Sequence, residues 1–235
     1  MENFSDPALL ACILLTLRVA GIATLVSACL GLGLAWGMTR GLAPARRPRG
    51  RSVVDALCAL PLVLPPTVIG YCLILLVGRK GLIGPLLQEL GISLIFSWKG
   101  AVVAATVVIF PLTYRASRAA LESVDHNLEN AARTLGASEW EVFYKVSMPL
   151  AWRSIAAGVS LAFARGMGEF GATLMIAGNI PGRTQTLSLA IYATFQAGDD
   201  SRALALVLLT SVLCASLLVL AESLTSRRFS QGARL

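Results

Sequence analysis

The apolar run from Ala8 to Met38 leaves this chain the fewest options. As a helix at 1.5 Å per residue it would be about 45 Å long, more than the roughly 30 Å a bilayer core requires, so it reads as a tilted or protruding membrane span. A secretory leader would be shorter and would begin with positive charge, whereas residues 1–7 hold Glu2 and Asp6 and no Lys or Arg. Composition agrees: of 235 residues 56% are hydrophobic and only 14% charged, and mean hydropathy is +0.72. Those values exclude an ordinary soluble domain. The expected fold is all-α, a polytopic membrane bundle of about five spans forming one domain over residues 1–235.

Charge sets the expected orientation. Arg40, Arg46, Arg47, Arg49 and Arg51, broken by Pro44 and Pro48, form a short basic loop that the positive-inside rule assigns to the cytoplasm, with the N-terminus outside. Basic residues beside hydrophobic segments also account for the net charge of +7, so nucleic acid is not an expected partner. In the first span Gly33 and Gly37 make a G-x-x-x-G expected to admit a neighbouring helix. The second span, Val53 to Val77, contains Pro61, Pro65 and Pro66, which predict a kink or interruption lining a pathway rather than a merely bent helix. Arg79 to Trp98 reads as an external segment with a short amphipathic piece, Ile83 to Leu90. The third span, Gly100 to Leu112, runs on as helix through Arg115, Arg118 and Glu122. A fourth extends from Trp152 to Ala177, a partly embedded piece covers Leu187 to Phe195, and a fifth, Ala203 to Ala221, ends inside at Arg227, Arg228 and Arg234.

In the fourth span Ser154, Gly158, Ala162, Arg165, Glu169 and Thr173 recur at helical spacing and predict one small and polar face. Charge at midplane is costly, so Arg165 and Glu169 are expected to pair and to face the bundle interior, as a structural ion pair or as a pathway site. The five cysteines lie in apolar segments without C-x-x-C spacing, and His126 is the single histidine, so no metal site is expected. With no G-x-x-x-x-G-K-[ST], the chain is expected to hold no cofactor itself, so any ATPase, with its ATP and Mg, must be a partner.

Between the third and fourth spans lies ENAARTLGASEWEVFYKVSMP, residues 129–149. Leu128, Ala131, Ala132 and Leu135 fall on one helical face, and Glu129 and Arg133 form an i, i+4 pair expected on the opposite side. Gly136 is expected to end this helix in the left-handed conformation, Ser138 and Glu141 to start another with a capping box, and Pro149 to close it. This helix-turn-helix resembles the cytoplasmic coupling loop of bacterial ABC-importer permeases. Ala131, Ala132, Gly136, Val146, Met148 and Pro149 occupy the positions of that family's signature. Its glutamate position holds Asn130, with Glu129 keeping a carboxylate one residue away.

The resemblance extends over LPLVLPPTVIGY at 60–71, GLIGP at 81–85 and ARGMGEFGATLMIAGNIPGRTQTLSLAIY at 164–192, which look like the permease subunit of molybdate ABC importers. It implies a homodimer, two ATPase subunits, a periplasmic or lipid-anchored molybdate-binding protein, and a place in the bacterial inner membrane. A sulfate or thiosulfate permease is the nearest alternative. An ion-driven transporter would carry inverted repeats and several coupling carboxylates, and a membrane enzyme would need a catalytic constellation; neither is visible in the spans.

Overall fold

The computed structural model describes residues 7–41 and 51–226. Glu2, Asp6, Arg46, Arg47, Arg49, Arg227, Arg228 and Arg234, on which the expected orientation draws, lie outside the described residues. The helices are α1 (Pro7–Trp36), α2 (Arg51–Val63), α3 (Pro66–Val77), α4 (Gly84–Glu89), α5 (Trp98–Glu122), α6 (His126–Thr134), α7 (Glu139–Val142), α8 (Met148–Met167), α9 (Gly171–Ala177), α10 (Leu187–Gln196) and α11 (Asp200–Ser226). π-helical turns at Gly37–Gly41 and Phe143–Ser147 extend α1 and join α7 to α8. Among the described residues there is no strand, and four helices are long and apolar enough to cross a membrane: Pro7–Thr39, Trp98–Glu122, Glu139–Met167 and Asp200–Ala221. A fifth candidate is the pair Ser52–Val63 and Pro66–Val77, bent by 113° at its break.

The centre of the bundle is α5, flanked by α1 and α8. Its contacts are built from small residues: Ala23, Ala101, Ala104, Ala105, Ala162 and Ala172 are fully buried. Lipid tails are as apolar as leucine, so helices in a bilayer gain from close backbone approach rather than from apolar burial, and small side chains permit it. Between α1 and α5 the close-approach glycine is Gly31, where a Cβ would come within 2.8 Å of Thr113 Oγ1 and of the Tyr114 backbone nitrogen. Gly33 and Gly37, the expected pair, have no such neighbour within 4 Å. The G-x-x-x-G spacing places them on the wrong arc of α1. Beside Gly31, Ser27 and Thr113 share a buried hydroxyl hydrogen bond of 2.7 Å.

Leucines and valines point outward instead, including Leu10, Leu14 and Leu25 on α1 and Leu204, Leu208 and Val212 on α11. That inversion of the soluble pattern suits a hydrocarbon solvent. The interruption expected in the second span is present at Leu64–Pro65: Pro61 sits inside α2, Pro65 precedes α3 and Pro66 is its first residue. Proline forces the preceding residue out of the α region and supplies no amide hydrogen, so two in succession end one helix and start the next. At the end nearest the coupling segment, Asp55 of α2 accepts the Tyr114 hydroxyl at 2.5 Å and pairs with Arg118.

The fourth span departs from expectation at both ends. It begins at Glu139, ten residues into the coupling segment, and α8 stops at Met167 rather than reaching Ala177. Pro149 does not close a helix. The Phe143–Ser147 π turn lets the Met148 amide donate to Phe143 O, widening the backbone just where a proline ring would otherwise meet a preceding carbonyl. At the other end Gly168, Glu169 and Phe170 break the helix before α9 resumes, so the polar face drawn through Ser154, Gly158, Ala162, Arg165, Glu169 and Thr173 is divided between two helices.

Candidate functional site

Two places hold the residues singled out from sequence. The first is the helix-turn-helix of residues 126–149, the segment whose sequence resembles a coupling loop. Asp125 caps α6 by accepting the Asn127 amide at 2.9 Å. At the far end Gly136 has φ +86°, its amide donates to Arg133 O at 2.9 Å and the Ala137 amide to Ala132 O at 3.1 Å. These two bonds satisfy the last carbonyls of α6 and reverse the chain, which requires a residue tolerant of positive φ. Ser138 then starts α7 with a complete capping box to Glu141.

The faces of α6 are the opposite of those expected. Glu129 is fully buried, while Leu128, Asn130, Ala131 and Leu135 are exposed, Leu135 at 88%. Ala132, Val146 and Met148 are half-buried, and Gly136 and Pro149 exposed. The Glu129 carboxylate turns inward because Ser147, eighteen residues on, donates its hydroxyl to Oε1 at 2.6 Å. Arg133 is drawn elsewhere. Its Nε and Nη2 donate to the two carboxylate oxygens of Glu139 at 2.7 and 3.0 Å, and Nη1 to Asn130 Oδ1 at 2.9 Å. Its approach to Glu129 is only 4.0 Å. The Glu139 carboxylate holds the Arg133 guanidinium above its ordinary pKa against partial burial. Glu129 therefore offers no outward carboxylate in place of the signature glutamate; Asn130 is the exposed side chain at that position.

The coupling segment also grips α1. Trp36, the last residue of α1, packs in tilted ring contacts on Trp140 of α7, at 4.8 Å between centroids, and on Phe143, at 5.2 Å. Trp140 nonetheless remains 67% exposed and Tyr144 75%, so with Leu128 and Leu135 they give the segment an apolar outer surface. Ser147, Glu139 and Trp36 escaped the sequence reading. Glu139 was within reach of it, because a glycine turn at Gly136 folds position 139 back on position 133; Ser147 and Trp36 carry no such local signal.

The second place is the break after α8. Arg165 Nη1 donates to Glu169 Oε2 at 3.0 Å, and the Ala172 amide to Oε1 at 3.0 Å. The expected pair forms, but unevenly: the Glu169 side chain is 2% exposed and that of Arg165 41%. Glu169 takes an amide that a continuous helix would have used internally, so its carboxylate offers the chain an alternative to remaining helical and caps α9. The helix that follows this break, α9, meets α3, the helix that follows the break at Pro65. A Cβ on Gly171 would lie 2.9 Å from Pro66 Cβ, and one on Gly70 would lie 2.6 Å from Met175 Cβ. Pro66 thus meets the chain two residues beyond Glu169, with Pro65 beside it and Pro61 one turn back in α2.

A membrane bundle in which the short helices α3 and α9 pack against each other, with a helix-turn-helix following α5, has the architecture of a transporter's membrane subunit. The chain belongs to the family of binding-protein-dependent transport system inner membrane components, whose family model matches residues 29–230. Within it, the chain is 45% identical over 212 residues to the Molybdenum transport system permease protein ModB of Escherichia coli K12, covering 89% of this chain and 90% of that one. It is 45% identical to ModB of Haemophilus influenzae, covering 91% and 92%. It is 37% identical to the Sulfate transport system permease protein CysT of Escherichia coli K12, covering 93% and 76%. Among solved structures, a chain of the MetNI methionine ABC transporter shares the fold with TM-score 0.73 at 17% identity, covering 94% and 98%. A chain of a bacterial alginate ABC transporter does so with TM-score 0.76 at 16%, covering 95% and 80%.

Proposed function

We propose that this chain is the permease subunit of an ATP-driven molybdate importer in the bacterial inner membrane. Two copies form the path, two ATPase subunits bind ATP and Mg below, and a periplasmic or lipid-anchored binding protein delivers the oxyanion from above. In this reading the coupling segment lies in the cytoplasm, with the N-terminus outside and the C-terminus inside. The observation that carries it is the construction of residues 126–149: an outer surface of Leu128, Leu135, Trp140 and Tyr144, and an inner side tied by Glu129 and Ser147 to the start of the fourth span. An ATPase closing on that surface moves α8 through the π turn and α1 through Trp36. At the far end of α8 the motion reaches the contact of α9 with α3, where backbone groups freed from regular helix can line a polar path. The identity to molybdenum permeases supports molybdate over sulfate.

Uptake of labelled molybdate by cells with and without the chain tests the reading. Loss of uptake on deletion, with competition by tungstate and weak competition by sulfate, is the expected result. Unchanged molybdate uptake together with lost sulfate uptake would make the chain a sulfate permease.

A further inference from the structure

Arg18 lies in the apolar α1 with no carboxylate in ion-pair range among the described residues. Its Cζ sits 3.9 Å from the ring centroid of Trp98, the first residue of α5. Since α5 ends at Glu122 and leads into the coupling segment, the Arg18–Trp98 stack marks the opposite end of the bundle. Arg18 also lines a groove of about 210 Å³ between α1 and the turn that precedes α10, together with Cys12, Gly182 and Gln185.

The groove is held in place from both sides. Thr16 of α1 accepts the Leu187 amide at 2.9 Å, docking the start of α10. Within the turn, Thr184 Oγ1 accepts the Ile180 amide at 3.0 Å and donates to Gly178 O at 3.2 Å. The Cys12 thiol donates to Gln185 Oε1 at 3.7 Å, which occupies the acceptor end of that amide and leaves its N–H groups as donors. Stacking on Trp98 uses the face of the guanidinium and leaves its edge N–H groups available. A groove that presents a positive charge and donors suits an anion with several acceptor oxygens.

We propose that Arg18, braced on Trp98, and Gln185 form a reception site for a tetrahedral oxyanion at the end of the bundle remote from the coupling segment. The proposal rests on the reading that the chain conducts an oxyanion. Its stacked, solvent-accessible geometry makes it a weak waypoint, which conduction requires, because a tight site would hold the ion.

The test uses the complete complex in proteoliposomes, with molybdate imported per ATP hydrolysed as the readout, normalised to assembled complex. Removing one charge-assisted contact predicts about a tenfold fall for Arg18→Gln and a smaller one for Gln185→Ala. Binding-protein stimulation of the ATPase should remain unchanged. Arg18→Lys, which keeps the charge and loses the fork, should fall about threefold, and it is the variant read if Arg18→Gln does not assemble. Unchanged molybdate per ATP in Arg18→Gln, or in Arg18→Lys when that variant is read in its place, overturns the proposal. A phospholipid headgroup offers the same oxyanion chemistry. If it were the occupant, transport per ATP would be unaltered and delipidation would lower the Tm of wild type but not of Arg18→Gln, which also overturns the proposal. Failure of the underlying reading shows in the wild type alone: ATP hydrolysis with no oxyanion import.

Discussion

The coupling segment and the break after α8 each bury a glutamate four residues from an arginine, yet the two pairs are built differently. Arg165 and Glu169 meet at 3.0 Å, and the partners of Glu169 are local, an arginine one turn back and an amide three residues on. Glu129 and Arg133, in the order usually more favourable on a helix, stand 4.0 Å apart. There the glutamate bonds to Ser147 and the arginine to Glu139, so each joins α6 to a different part of the chain. One pattern thus braces the end of α8 against the start of α9, and the other fastens a surface helix to the span that follows it. An i, i+4 pair specifies proximity; what else lies within reach decides whether it becomes a bond.

The largest effect should come from breaking the buried pair on its exposed side. Arg165→Gln leaves the Glu169 carboxylate buried without its cation, a loss of about 3 kcal/mol, whereas Glu169→Gln leaves a cation that is 41% exposed. Thermal unfolding in detergent should therefore rank Arg165→Gln well below Glu169→Gln, with the double variant close to Glu169→Gln. Equal single variants, or a double as unstable as Arg165→Gln, would show that the pair is not a structural brace.

The next effect acts on the turn that sends Arg133 to Glu139. At φ +86° Gly136 has nothing within 4 Å of a would-be Cβ, so Gly136→Val is opposed by backbone strain alone, on the order of 2 kcal/mol for a β-branched residue. Membrane abundance should hold while molybdate uptake falls and the ATPase stops responding to loaded binding protein. Retained uptake would mean that the turn does not govern seating of the segment.

Ser147→Ala sharpens the contrast further. It removes the hydroxyl donor from buried Glu129 and should cost about 1–2 kcal/mol, seen as lower Tm and reduced uptake. If local spacing ruled, Arg133→Ala would be the more damaging of the two; the structure ranks it second. The smallest change is Arg133→Lys, which gives up the two-pronged bond to Glu139 at a partly exposed site and should cost less than about 1 kcal/mol. Uptake within twofold of wild type is expected.

Legibility followed the range of the forces. The capping box at Ser138 and Glu141, the positive φ of Gly136 and the break at Pro65–Pro66 each depend on residues within a few positions of one another, and each was readable. Pro149 was misread because the remedy for its missing amide, a π turn at Phe143–Ser147, leaves no compositional mark. The inward face of α6 was misread because its apolar residues pointed to a core, when the core contact is a carboxylate bonded to Ser147. Gly33 and Gly37 fit a spacing rule, but the side of α1 that meets α5 is decided by Gly31 and Ser27 against Thr113.

By itself the sequence determined that this is an all-helical membrane bundle with an interrupted second span and an amphipathic helix-turn-helix leading into the fourth, because hydrophobic length, proline and capping residues act locally. Only the tertiary structure decided which faces of those helices are inside, that Glu169 ends a helix rather than continuing it, and that α9 packs on α3 at Gly171 and Pro66. Within a bilayer apolar side chains are at home on either side of a helix, so hydrophobic pattern cannot choose the buried face; close backbone approach and a few polar bonds between distant residues make that choice.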